Sequence, residues 1–189
     1  MRFLHDATEL MVVDLEATCD VGGFAPAEME IIEIGAVVVG VGDWETRAEF
    51  RTFVRPVDRP ALTAFCTALT SIRQEDVDAA PTFPEALEAF RAWYRPRDLE
   101  VWSSWGAYDK SQLRRDQRRH GTGNLLPKRH LNLKALYARA FHADGRRPGL
   151  AQALAASDLE FAGSAHRALD DARNTARLLP RIFEVLGAE

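Results

Sequence analysis

Leu10-Met-Val-Val-Asp-Leu-Glu16 is a short apolar run that ends in acid. Leu10 to Val13 reads as a buried strand whose end opens into an acidic loop at Asp14. Working outward, Ile31 to Val39 (IIEIGAVVV) is a second run, rich in the β-branched residues that suit strands. Ala48 to Val54 (AEFRTFV) alternates and predicts a third strand. Gly40, Gly42, Pro56 and Pro60 punctuate these runs. Three strands so close in sequence predict an antiparallel meander.

The pattern then changes period. Pro84 to Tyr94 (PEALEAFRAWY) places Leu87, Phe90 and Tyr94 on one helical face. Leu99 to Trp102 predicts a fourth strand, and a weak signal near His130 to Asn132 a fifth. Asp109 to His120, Leu133 to Phe141 and Leu150 to Ala156 read as helices. Ala168 to Leu186 reads as a last helix that Pro180 kinks or splits. These elements make an α/β chain with helices on a mixed sheet, and one domain over residues 1–189 is the economical division.

Bulk properties narrow the class. The chain has 189 residues, 47% hydrophobic and 28% charged, a globular composition. Two cysteines, Cys19 and Cys66, form neither a disulfide framework nor a zinc motif, which fits a reducing compartment. The first residues carry acids where a signal peptide needs an apolar core. No run approaches the ~18 apolar residues of a membrane span. A cytoplasmic protein without a membrane partner is expected. Net charge −4 argues against tight, non-specific binding to long duplexes, which relies on many phosphate contacts, but not against gripping a few nucleotides at one end.

Acids recur where elements end. Asp14 and Glu16 stand two apart, so on a strand they share a face. Two carboxylates aimed at one point repel unless a cation lies between them, and oxygen-only ligands suit Mg²⁺ or Mn²⁺. Asp109 falls where a helix begins, and His166 precedes Asp170 and Asp171 at the start of the last helix. Each has an ordinary use when taken singly. A DxE pair marks a strand exit, Asp109 serves as an N-cap, and Asp170 and Asp171 complement a helix dipole. Together they supply four carboxylates and a base, which two-metal phosphodiester hydrolysis requires. A histidine with an ordinary pKa of ~6.5 accepts a water proton near neutral pH.

The order Asp14-Leu-Glu16, Asp109, His166-x-x-x-x-Asp171 resembles the motif series of the DEDDh exonucleases of the DnaQ-like superfamily. The closer similarity is to exonucleases of the enhanced-RNAi and histone-mRNA 3′-end type. It rests on VDLEATC (13–19), EIIEIGAVVV (30–39), LTAFCTALTSIRQEDV (62–77), APTFPEAL (80–87), SWGAYD (104–109) and HRALDDARNTAR (166–177). The resemblance implies an RNase-H-like fold, a mixed five-stranded sheet flanked by helices. It implies two divalent cations, with Asp14 bridging them, Glu16 and Asp171 completing one site and Asp109 serving the other. It implies His166 as general base and 5′-mononucleotides as product. It further implies that Leu15, Ala17 and Thr18 line the 3′-terminal nucleotide, with Leu69 and Thr70 as walls for the last base. One departure is Leu69-Thr-Ser71-Ile, where the family has glycine third. Serine has less backbone freedom there.

Trp105 and Phe65 are candidates to stack on bases, although a core position is the better expectation for Phe65. The middle of the chain is basic, through Lys110, Arg114, Arg115, Arg118, Arg119, Lys128, Arg129, Lys134, Arg146 and Arg147. A solvated helix explains that run as well as a phosphate track does, but its persistence in an acidic protein favours the track. The expected partner is nucleic acid with a free 3′ end, single-stranded RNA before DNA. A single-stranded DNA exonuclease, a non-catalytic scaffold and an RNase-H-like endonuclease are the competing readings. Oligomeric state is left open.

Overall fold

The computed structural model describes residue 4 and residues 7–97, 99–123, 126–127 and 129–187. Five strands form one mixed sheet. β1 (Glu9–Ala17), β2 (Ile31–Gly40) and β3 (Thr46–Phe53) make the antiparallel meander, while β4 (Val101–Ser104) and β5 (Arg129–Asn132) add in parallel. The order is β3-β2-β1-β4-β5, so β1 is central. Among the described residues, eight α-helices surround the sheet: α1 (Ala64–Thr70), α2 (Gln74–Asp78), α3 (Phe83–Tyr94), α4 (Tyr108–His120), α5 (Leu133–Phe141), α6 (Leu150–Ala155), α7 (Ala168–Ala176) and α8 (Leu179–Gly187).

Alternation along β1 feeds two cores. Leu10 and Val12 pack with Leu133, Tyr137, Ala172 and Ile182 of α5, α7 and α8. Met11, Val13 and Leu15 pack with Phe83, Leu87 and Phe90 of α3. Each fully buried branched side chain contributes roughly 1.5–3 kcal/mol. Period two also settles where the acids go, because Asp14 and Glu16 continue the face of Leu10 and Val12, which α7 covers. The strand runs on through Ala17 rather than opening into a loop at Asp14, so the rigid sheet itself holds both carboxylates. A bulge between Glu16 and Ala17 ends the regular pairing.

Two residues of β2 seat α7. Gly35 pairs with Asp14 in register. A Cβ there would lie 2.2 Å from the Ala168 carbonyl carbon and from the Leu169 nitrogen, so only glycine admits the helix backbone this closely. Glu33, fully buried, accepts from the Ala168 amide (3.0 Å) and the Arg167 guanidinium (3.0 Å), and pairs with Arg51 Nε (2.8 Å).

Several elements differ from the sequence reading. α1 and α2 are short helices without a legible periodicity. β3 starts at Thr46, and β4 is shifted to Val101–Ser104. Asp109 is not the cap of α4, whose N-cap is Ala107. The last helix does split, and Pro180 is the second residue of α8, where a missing N–H costs nothing. Ser71 keeps the left-handed turn that glycine would favour (φ 59°), closing α1 against the Thr67 carbonyl at a backbone cost of about 1 kcal/mol or more.

Candidate active site

Three elements bring acids to one cleft of about 240 Å³, which Asp14, Glu16, Asp109, Asp171, His166, Leu15, Trp105, Tyr108 and Leu150 line. The ligand oxygens of Asp14, Glu16 and Asp171 all lie within 4.8 Å of one another. Asp109 approaches from the first turn of α4, and its Oδ1 accepts from the Leu15 amide at 3.2 Å. The Ser104 hydroxyl also supports the Asp109 charge. On α7 the acidic pair divides its work. Asp170 turns back to accept from the Ser164 amide (3.0 Å) and from Arg173, whereas Asp171 faces the cleft. His166 stands exposed at the rim in a left-handed conformation (φ 60°), a strained state for a side chain with a Cβ.

Crowding shows in the proton affinities. Burial, then the charges of Asp109, Glu16 and Asp171, hold the Asp14 carboxyl well above the usual range. Burial, then Asp171 and Glu33, push Glu16 up to about 8. Burial raises Asp109 and Asp171 to about 6 each. Four desolvated carboxylates in mutual repulsion want a compensating positive charge, and an all-oxygen donor set fits a hard divalent cation. A stability test follows. A carboxyl whose folded pKa is raised binds its proton more tightly folded than unfolded. Its stabilising contribution is full below the unfolded pKa, and it is lost as pH rises through the folded value. For Glu16 that window runs from 4.5 to about 8. In chelator, the melting temperature should therefore fall between pH 5.5 and 8.5, and Mg²⁺ or Mn²⁺ should restore it at the upper end. Even ~1.4 kcal/mol, the worth of one pH unit, moves Tm by about 3–6 °C in a domain of this size. A melting temperature that is flat across this range, with or without metal, contradicts the carboxylate cluster.

The substrate-lining expectations fare unevenly. Trp105 lines the cleft half-buried, its ring edge-on to Tyr137 at 5.6 Å, and its Nε1 is buried without a partner. It therefore offers an N–H as well as a ring. Leu69 and Phe65 are each 37% exposed on one face of α1, so Phe65 is a surface residue and not core. Thr63 and Cys66 tie α1 to the strand end, donating to the Cys19 and Ala17 carbonyls. Thr70 is fully buried and its hydroxyl donates to the Cys66 carbonyl, so its side chain presents no wall. Thr18 is likewise buried. Its amide donates to the Glu30 carbonyl, so the amide is not free for a 3′-hydroxyl, and its hydroxyl oxygen accepts from the Glu30 amide. Leu15 and Ala17 are also buried, although Leu15 does line the cleft. Sequence reasoning missed Tyr108, 43% exposed on the cleft wall. Its only signal was adjacency to Asp109.

The family model RNase_T, described as exonuclease, matches residues 11–179, and the chain belongs to that family. Within it, the chain is of the DEDDh 3′–5′ type that includes ERI1 and the histone-mRNA 3′-exonuclease, with the family's RNase-H-like sheet. It is 32% identical to ERI1 exoribonuclease 2 of Xenopus laevis over 92% of its own length and 28% of that protein's. It is 28% identical to 3′-5′ exoribonuclease 1 of Mus musculus over 93% of its own length and 53% of that protein's. The chain thus spans about half or less of these curated relatives. Among solved structures, it superposes on the nuclease domain of 3′hExo, a DEDDh family member, bound to rAMP. The TM-score there is 0.86 at 28% identity, covering 94% of this chain and 92% of that one.

Proposed function

We propose that the chain is a metal-dependent 3′–5′ exonuclease that shortens single-stranded RNA to 5′-mononucleotides. The observation that carries this reading is the convergence of Asp14, Glu16, Asp109, Asp171 and His166 on one cleft. RNA is favoured because the relatives are named exoribonucleases and a solved neighbour holds rAMP.

Asp14, Glu16 and Asp171 would hold one divalent ion, and Asp14 with Asp109 would hold a second. Such ions would supply Lewis-acid stabilisation of the charge that develops on the phosphoryl oxygens. Leu15 N–H and the Ser104 hydroxyl keep Asp109 oriented toward the shared space. His166 takes the proton of the attacking water at an imidazole nitrogen and releases it to solvent from the exposed rim. Trp105 Nε1 donates to an acceptor on the terminal nucleotide, which would satisfy its buried N–H. Tyr108 supplies an exposed ring beside it.

The test uses 5′-labelled single-stranded RNA and DNA of one sequence, with Mg²⁺, Mn²⁺ or chelator. The expected result is a ladder that shortens from the 3′ end, needs metal and advances faster on RNA. A faster DNA ladder transfers the activity to DNA. Cleavage of a circular strand points to an endonuclease. Binding without shortening under either metal leaves a scaffold and ends the exonuclease reading.

A further inference from the structure

A second concavity, of about 740 Å³, lies along the outer side of α4 and the turn that follows it. Ser111, Arg114, Arg115, Gln117, Arg118 and Gly121 are among its lining. None of the five motif residues belongs to it.

Its arginines differ from the others on the helix. Arg119 is engaged with Asp116 and Asp58 and with the Met29 carbonyl. Arg115 donates to Gln112 Oε1 (2.7 Å) and Arg118 Nε to the Arg114 carbonyl (3.2 Å), both neutral acceptors. Among the described residues, no carboxylate pairs with Arg114, Arg115 or Arg118. Each guanidinium carries five N–H donors, so most of theirs remain available. Three uncompensated cations on one face of a chain with net charge −4 are a local feature and not a general one.

A second observation points to a ligand. Gln117 is 5% exposed, lines the same wall, and its Nε2 has no hydrogen-bond partner. Thr122 Oγ1, in the turn between Gly121 and Gly123, is buried and also lacks one. Buried donors left unpaired are costly, and they ask for an acceptor. Beside three arginines the acceptor that fits is anionic, with several oxygens.

The placement says which anion. Tyr108, on the wall of the catalytic cleft, Ser111, Arg115 and Arg118 follow one another at intervals of three and four residues and so form one stripe of α4. From Tyr108 to Arg118 the stripe covers about 15 Å of helix, a distance that a few nucleotides cross. We propose that this cleft binds phosphates of the RNA strand upstream of the 3′ end held at the carboxylates. The inference rests on the exonuclease reading and adds a length-dependent grip to it. Lys128, in the same basic segment, lies outside the described residues.

Fluorescence anisotropy in chelator reads the grip without turnover, using a labelled RNA dodecamer across a salt series. Each lost phosphate contact should make the log–log salt dependence shallower by about 0.7, so Arg114→Ala with Arg118→Ala lowers the slope by about 1.4. Arg114→Lys with Arg118→Lys keeps the slope. Gln117→Leu lowers affinity about tenfold while leaving the slope in place, because it removes a donor and no charge. Parental melting temperatures in all three variants exclude unfolding as the cause. An unchanged slope in the alanine variant, or no binding by the parent, overturns the proposal. Inorganic phosphate that displaces the dodecamer as completely as unlabelled dodecamer does marks a free-anion pocket and overturns it too. Failure of the exonuclease reading appears separately, as an intact strand in Mg²⁺.

Discussion

Asp14→Asn should give a protein that hydrolyses RNA at least about a thousandfold more slowly, a loss of ~4 kcal/mol of barrier lowering, yet melts no lower than the parent in chelator. The two halves have one cause. Asp14 sits among Glu16, Asp109 and Asp171, and its charge is disfavoured by burial and by all three neighbours. Asparagine keeps the shape and removes the charge, so the metal-free fold is relieved of repulsion near pH 8, while the two cation sites of the proposed mechanism would lose the carboxylate they share. The gain should be on the order of 1 kcal/mol, or about 2–4 °C. Added Mg²⁺ or Mn²⁺ should then raise the melting temperature of the parent more than that of the variant. A variant that retains more than a hundredth of the parental rate sinks the assigned role of Asp14. One that melts well below the parent shows that the carboxylate is structural.

Gly35→Ala should be the most damaging methyl addition in the sheet. The new Cβ would meet backbone atoms at 2.2 Å, and backbone cannot rotate aside as a side-chain tip can. Either α7 lifts from β2 or the strand bends, at a cost of about 3 kcal/mol or more and a Tm drop of roughly 6–12 °C. Because α7 carries Asp171 and its N-terminal approach carries His166, activity should fall further than the lost stability alone explains. Gly22→Ala is the control: nothing lies within 4 Å of that Cβ, and the change should stay within about 0.5 kcal/mol. Equal melting temperatures for the two variants would mean that the helix does not rest on Gly35.

The meander was legible because β1 and β2 are dense in apolar, β-branched residues, and β2 is buried at every position. The break before Pro180 was legible because proline acts locally. α1 and α2 were not, since five to seven residues hold too few turns for a period to show. The ends of α1 depend instead on the Thr63 cap and the left-handed Ser71, and the start of α2 on the Arg73–Asp76 capping box. The five motif residues could be named from their order, and the His166-x-x-x-x-Asp171 spacing set Asp171 apart from Asp170. The physical reason is the direction each side chain takes from the first turn of α7. Thr18 and Thr70 looked like substrate contacts by position; the structure buries both, with hydrogen bonds to Glu30 and Cys66 that a string does not show. Phe65 looked like core by type. Its exposure follows from which face α1 turns to the strand, a tertiary fact.

The carboxylate cluster also has an order in time. Asp14 belongs to the first strand and Asp171 to the penultimate helix, with α3, β4 and α4 made between them. A ribosome extends a chain from its N-terminus at ~5–20 residues per second, so roughly 8–30 s separate the two carboxylates. Through that interval the growing polypeptide stays beside its own messenger, with an incomplete acidic cluster on the central strand. Under the proposed function, the messenger is safe from its product until α7 has been made and has settled over Gly35.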